Sequence, residues 1–199
     1  MNYNFLHIEA FEKERTNPKI LMKCLLFVLL ACFTAVLSIL LTDYTSLLKE
    51  LDIPASDAES MLILFKTSGI IASFIIYILF LVMYFVIALI IAKVAHLDVK
   101  ANSIFSASLL MLNIISLIHI VILSLQWAFG LHLPDINIGS LNILSPGNSI
   151  LGAISIQNIV SSWLFGVLLY STCHLPKKWA WVAVIIHMIV CVLLSILLV

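Results

Sequence analysis

The chain has 199 residues, of which 63% are hydrophobic and 10% charged, and its formal net charge is zero. Ordinary soluble domains hold roughly 45–50% apolar and about 25% charged residues, so this composition excludes a water-soluble globular fold and makes the bilayer the solvent. A zero net charge gives no sign of a nucleic-acid partner.

Residues 1–19 form a cytosolic N-terminal segment. Phe5, Ile8 and Phe11 share one helical face there, with Glu9, Glu12, Lys13 and Arg15 around the rest. This pattern predicts an amphipathic helix that packs on lipid or on protein. The segment lacks the short basic start and small-residue cleavage site of a signal peptide, so the first crossing is expected to persist as an uncleaved anchor.

Residues 20–199 read as one membrane domain with five apolar spans at about 20–42, 70–94, 103–129, 153–173 and 179–199. Each covers the roughly 30 Å of hydrocarbon at about 1.5 Å per residue. The first opens after Asn17-Pro18-Lys19, where Asn suits a helix cap and Pro a first turn. In the connection that follows, Leu47, Leu48 and Leu51 recur at helical spacing before Pro54, which predicts a short helix lying on the membrane. The connection 130–152 holds four of the six glycines, Pro134 and Pro146, and no Lys or Arg.

Eight of the ten basic residues, Lys13, Arg15, Lys19, Lys23, Lys93, Lys100, Lys177 and Lys178, fall on alternate connections, leaving Lys49 and Lys66 for the other side. The positive-inside rule then places the N-terminus in the cytoplasm and, with an odd span count, the C-terminus outside. The fold class is all-α, a polytopic integral membrane protein of five transmembrane helices. Trp179, Trp181 and Trp127 stand where aromatic belts are expected.

Polar groups at bilayer depth need partners inside the protein or a wet cavity. In the third span Ser106, Asn113 and Ser124 share a stripe, with Ser116 beside it and His119 and Gln126 turned away. The fourth span is the most polar, carrying Ser155, Gln157, Asn158, Ser161 and Ser162, and Ser162 with Gly166 makes a small-xxx-small pair. It is therefore expected at the centre of the bundle, against the third span. His187 lies midway along the fifth span. The candidate intramembrane polar site is Asn113, His119, Gln157, Asn158, Ser161 and His187, read either as helix–helix hydrogen bonding or as a cavity lining. No Asp or Glu falls in any span, which weighs against a proton-coupled carrier. No zinc motif, phosphate loop or nucleophile elbow is present, and Cys24, Cys32, Cys173 and Cys191 lack metal spacing; no catalytic, metal or cofactor residues are expected.

Three segments carry a family resemblance: Asn17-Pro18-Lys19 before the first span, Lys100-Ala-Asn-Ser-Ile-Phe-Ser-Ala-Ser108 into the third, and Asn158-Ile-Val-Ser-Ser-Trp163 followed by Leu175-Pro176-Lys177-Lys178-Trp179-Ala180. In these the chain resembles the Ypt-interacting-protein (Yip) family, in its prokaryotic multi-pass branch. Asn158 stands where many relatives have an acid, and the Asp-Leu-Tyr-Gly-Pro motif of the eukaryotic branch is missing, so Rab binding is not implied. The resemblance implies a five-helix, non-enzymatic accessory or scaffold protein of a bacterial-type plasma membrane. Its expected partners are the lipid bilayer and another membrane protein, such as an ABC exporter or peptide-resistance system, or a second copy of the chain. The alternative from the residues alone is a small transporter, channel or lipid-handling protein with a polar cavity between the third, fourth and fifth helices.

Overall fold

In a lipid solvent every backbone N–H and C=O must pair internally, so apolar segments of this length become helices. The computed structural model describes residues 8–44, 48–49, 51, 53–54, 57–131, 133, 136–145 and 148–197. Among these the chain is helical apart from turns and two isolated bridges, Thr42 with Leu133 and Ser140 with Ser155. The helices are α1 (Ile8–Thr16), α2 (Ile20–Leu41), α3 (Ala58–Val94), α4 (Ala101–Ala128), α5 (Ser149–Ala153), α6 (Ile156–Val167) and α7 (Lys177–Leu197). A 3-10 turn precedes α5, and a π turn, Leu168–Thr172, continues α6.

Four of these, α2, α3, α4 and α7, are long and apolar enough to cross a membrane. The chain is thus a helical membrane protein. The expected span at 153–173 is divided: Ser155 caps α6 by accepting from the Asn158 backbone N–H, and twelve α-helical residues run into five of π turn. At about 1.5 Å per residue that unit is roughly 25 Å long, shorter than the other four. The expected 70–94 span begins earlier, at Ala58, as a 37-residue helix of about 55 Å. The surface helix expected around Leu47, Leu48 and Leu51 falls largely outside the described residues.

The Asn17-Pro18-Lys19 segment does not cap α2. Asn17 N–H closes α1 on the Lys13 carbonyl, and Lys19 precedes α2 without a side-chain cap, so the segment is the link between two helices. The far ends of α3 and α4 are finished alike. Leu97 N–H returns to Ala92 O and His96 N–H to Lys93 O, while Leu131 and Gly130 do the same to Gln126 and Trp127. Both fifth positions take a left-handed backbone, with His96 at φ 53° and Gly130 at φ 65°, which is how such a cap satisfies the last carbonyls.

The hub is α4, not the fourth span as expected. It touches α1, α2, α3, α6 and the π turn, and Ser103, Ser106, Ala107 and Ser108 at its start are essentially without exposure. Small side chains there let neighbouring backbones close in from all sides. The Ser162/Gly166 pair of α6 serves a different neighbour: a Cβ at Gly166 would lie 2.1 Å from Val184 Cγ2 of α7.

Helix α1 packs on protein rather than lying free. Phe11 is completely buried, its carbonyl accepting from Thr172 Oγ1 at 2.8 Å. Arg15 donates to the carbonyls of Asp98 (2.6 Å) and Thr172 (3.2 Å), and Ser103 donates to Arg15 O. These bonds gather α1, the 95–100 turn and the 173–176 turn at one end of the bundle, called here the basic end. The bridges of Leu133 and Ser155, and Ser195 near the close of α7, lie toward the opposite, distal end.

Candidate functional site: a polar cavity in the distal half

Beneath α1, Glu14 is 7% exposed, and its carboxylate takes Ser106 Oγ at 2.6 Å and Lys23 Nζ at 2.8 Å. Asn113 belongs to this network, two turns farther along α4: its Nδ2 donates to Lys23 O at 3.2 Å. It is therefore separated from the other candidate residues and is not among the described lining residues of the two chambers below.

His119, Gln157, Asn158 and Ser161 do come together. Asn158 Nδ2 donates to Ala153 O (2.8 Å) and Ser195 Oγ (3.3 Å), and Ser161 Oγ donates to Asn158 O (3.1 Å). The break between α5 and α6 leaves the Ala153 carbonyl without a helical partner and presents it to Asn158. His119, on the hub helix, borders the same space as Gln157. Around these residues lies a cavity of about 380 Å³ that also receives Thr34 and Ser38 of α2, Ser73, Tyr77 and Tyr84 of α3, Ser116 of α4 and Ser195 of α7. A chamber of about 220 Å³ shares His119, Gln157, Asn158 and Ser195 with it and continues to Asn137, Gly139, Gly152 and Ser155 at the distal end.

His187 faces elsewhere. Its Nδ1 is 2.8 Å from Ser162 Oγ, and Ser162 Oγ is 2.7 Å from the Asn158 carbonyl. A hydroxyl has one proton; if it goes to the carbonyl, His187 carries its own proton on Nδ1 and donates to Ser162. The imidazole is packed against Phe165 and Tyr84, with ring centroids 5.1 and 5.5 Å away. This aromatic cluster lies beside the cavity end nearest the basic end, and His187 seals rather than lines.

Two polar side chains of α4 lie off the stripe marked by Ser106, Asn113 and Ser124. Gln126, placed away from the polar stripe, is fully buried and donates to Ile136 O at 2.7 Å, tying the distal loop to the hub. His119, also placed away, reaches the cavity. Off the stripe does not mean toward lipid on α4: Leu117, Val121 and Leu125 carry its exposed face, while His119 and Gln126 turn to other neighbours.

The lining that sequence reading missed is on α2 and α3. Thr34 and Ser38 recur at i, i+4, and Ser73, Tyr77 and Tyr84 fall on one stripe of α3, a periodicity that was available. Thr34 and Ser73 donate to their own i−4 carbonyls, Leu30 and Gly69, at 2.8 Å, which leaves oxygen lone pairs for an occupant. No Asp, Glu, Lys or Arg is among the described lining residues of either chamber. The cavity therefore combines neutral donors and acceptors with the apolar side chains of Ile76, Phe80, Leu112, Ile115 and Leu194.

Comparisons with protein-family models, with curated proteins and with solved structures found no match to this chain.

Proposed function

We propose that this protein binds and handles a small uncharged amphiphile, such as a lipid-like alcohol or ester, taken into the cavity from the distal side. One observation carries the reading: about 380 Å³ of space beside Asn158, bordered by neutral hydrogen-bonding side chains from five helices. An ion would lose its hydration there without a counter-charge, at a cost of several kcal/mol. A neutral head with an aliphatic tail matches both kinds of lining.

The membrane arrangement belongs to the same proposal. α6 with its π turn makes a fifth, short crossing, the basic end faces the cytoplasm and the distal end faces outward across a bacterial-type plasma membrane. Supporting this, α1 and the two turns bearing Lys100, Lys177 and Lys178 meet at one end, as the positive-inside rule requires of cytoplasmic segments.

The test is thermal unfolding of the purified protein with a short-chain monoacylglycerol against an alkyl sulfate and an alkylammonium of equal chain length. Saturation at about 100 times the dissociation constant should stabilise by about 2.7 kcal/mol with the neutral ligand only. Equal shifts with all three, or none, would overturn the reading.

A second reading is assembly of the Yip type with another membrane protein, acting as a non-enzymatic accessory. It is favoured by the first turns of α3, which extend past the hydrocarbon thickness while Met61, Ile63 and Leu64 are 37%, 61% and 58% exposed. Apolar side chains outside the lipid need a protein cover. A photo-crosslinker at Ile63 that captures only lipid or nothing in native membranes would remove this reading.

A further inference from the structure

A second, separate site lies at the basic end. Between α6 and α7 runs a trough of about 320 Å³, floored at Gly166 and walled by Trp163, Ala180, Trp181 and Val184, with Lys177 at its rim. Adjoining it is a basin of about 370 Å³ bordered by Glu12, Ser171, His174 and Pro176. Ile8 and Tyr170 line both, so the two form one continuous depression with an apolar arm and a polar arm.

The apolar arm has the form of an acyl-chain slot. Its floor is the close approach of α6 and α7 at Gly166, where a Cβ would lie 2.1 Å from Val184 Cγ2, and the Trp163 and Trp181 ring centroids lie 5.2 Å apart along it. Charges of both signs border the depression, one on each arm. Lys177 offers an ammonium at the rim and Glu12 a carboxylate from α1 across the basin, both exposed. Ser171, which borders the basin, is 5% exposed, and its hydroxyl has no hydrogen-bond partner among the described residues.

We propose that this depression binds a zwitterionic glycerophospholipid of the phosphatidylethanolamine type, one acyl chain in the trough, the phosphate on Lys177 and the primary ammonium on Glu12. A net anionic headgroup would meet the Glu12 carboxylate with no cation of its own. A choline headgroup keeps its charge but has no N–H to donate, whereas a primary ammonium has three donors. The site stands apart from the distal cavity and does not depend on its occupant.

Native mass spectrometry of the full chain from mild detergent, with phosphatidylethanolamine, phosphatidylcholine and phosphatidylglycerol of identical acyl chains, tests this. Phosphatidylethanolamine should be retained at about tenfold higher affinity than either other lipid, the size of one charge-assisted hydrogen bond. Glu12→Gln should erase that preference, and Glu12→Lys should turn it toward phosphatidylglycerol. Both changes are on an exposed side chain, so unaltered thermal unfolding without lipid will show that the fold is intact. Soluble phosphoethanolamine at millimolar concentration should not displace the lipid. Equal retention of all three lipids, a phosphatidylglycerol preference in the unaltered chain, an unchanged pattern in Glu12→Gln, or displacement by soluble phosphoethanolamine would each overturn the proposal.

Discussion

The two halves of the bundle solve the same problem in opposite ways. At the basic end, charged and strongly polar groups are closed in: the Glu14, Lys23 and Ser106 cluster is capped by α1, and every arm of Arg15 described above ends on a backbone carbonyl. In the distal half the polar groups are neutral, and they border space instead of filling it. The difference follows from what an unpaired group costs. A buried charge left open is worth several kcal/mol of destabilisation, so it must be sealed, whereas an amide or hydroxyl can face a cavity at about a kcal/mol or so and remain ready for a ligand. Beneath α1 charge is closed in as structure, whereas in the distal half neutral polarity is left open to a ligand.

The largest expected effect breaks the closed end. Glu14→Ala leaves the Lys23 ammonium, whose side chain is 13% exposed, without its carboxylate. Removing one partner of a buried pair costs about 3–5 kcal/mol. Chemical unfolding in detergent should show a loss of that order, and Glu14→Leu combined with Lys23→Met should recover most of it, because the double change removes both charges. If the single variant lost less than about 1 kcal/mol, the idea that this end is sealed around a charge pair would fail.

An intermediate effect lies where the halves join. Gly166→Ala puts a methyl group 2.1 Å from Val184 Cγ2, and the β-branched Val184 has little rotamer freedom with which to yield. Overpacking of this kind costs about 1–3 kcal/mol. Val184→Ala should restore the loss in the double variant, as read by thermal unfolding. Additive losses instead would mean that α6 and α7 are not held together at this point.

How much of this could be read from the chain differs between the halves for a physical reason. Helix positions follow from apolar length, so the crossings at 20–42, 103–129 and 179–199 lie within a few residues of α2, α4 and α7. Gathering of the charged turns at one end follows from alternation of basic residues along the sequence. The centre of the bundle was not legible, because polarity and burial are different quantities. The fourth span is denser in polar side chains, yet α4, with its run of small residues, is the helix that neighbours can close in on. His187 shows the same limit. Its midspan position marks it as needing a partner, but whether that partner is Ser162 or a cavity depends on the rotation of α7, which hydropathy does not set. The ion pair of Glu14 was hidden for another reason: the acid lies outside every span and reaches Lys23 only because α1 folds back under the bundle.

The smallest effect on stability is also the sharpest on the receptive half. Asn158→Leu removes the bonds to Ala153 O and Ser195 Oγ, and such bonds in a membrane interior average about 0.6 kcal/mol, so unfolding should change little. Its consequence for the cavity is of another order. Leucine is branched at the same carbon but cannot donate or accept, so the shared wall of the two chambers turns apolar at the position where Gln157, His119 and Ser195 converge. Stabilisation by a short-chain monoacylglycerol should fall from about 2.7 kcal/mol at saturation to near zero, while Ser162→Ala, which touches the sealed His187 instead, should leave it unchanged. A variant that unfolds like the parent and still binds the ligand would show the space beside Asn158 to be a packing defect, and the contrast between a sealed half and a receptive half would reduce to one of charge alone.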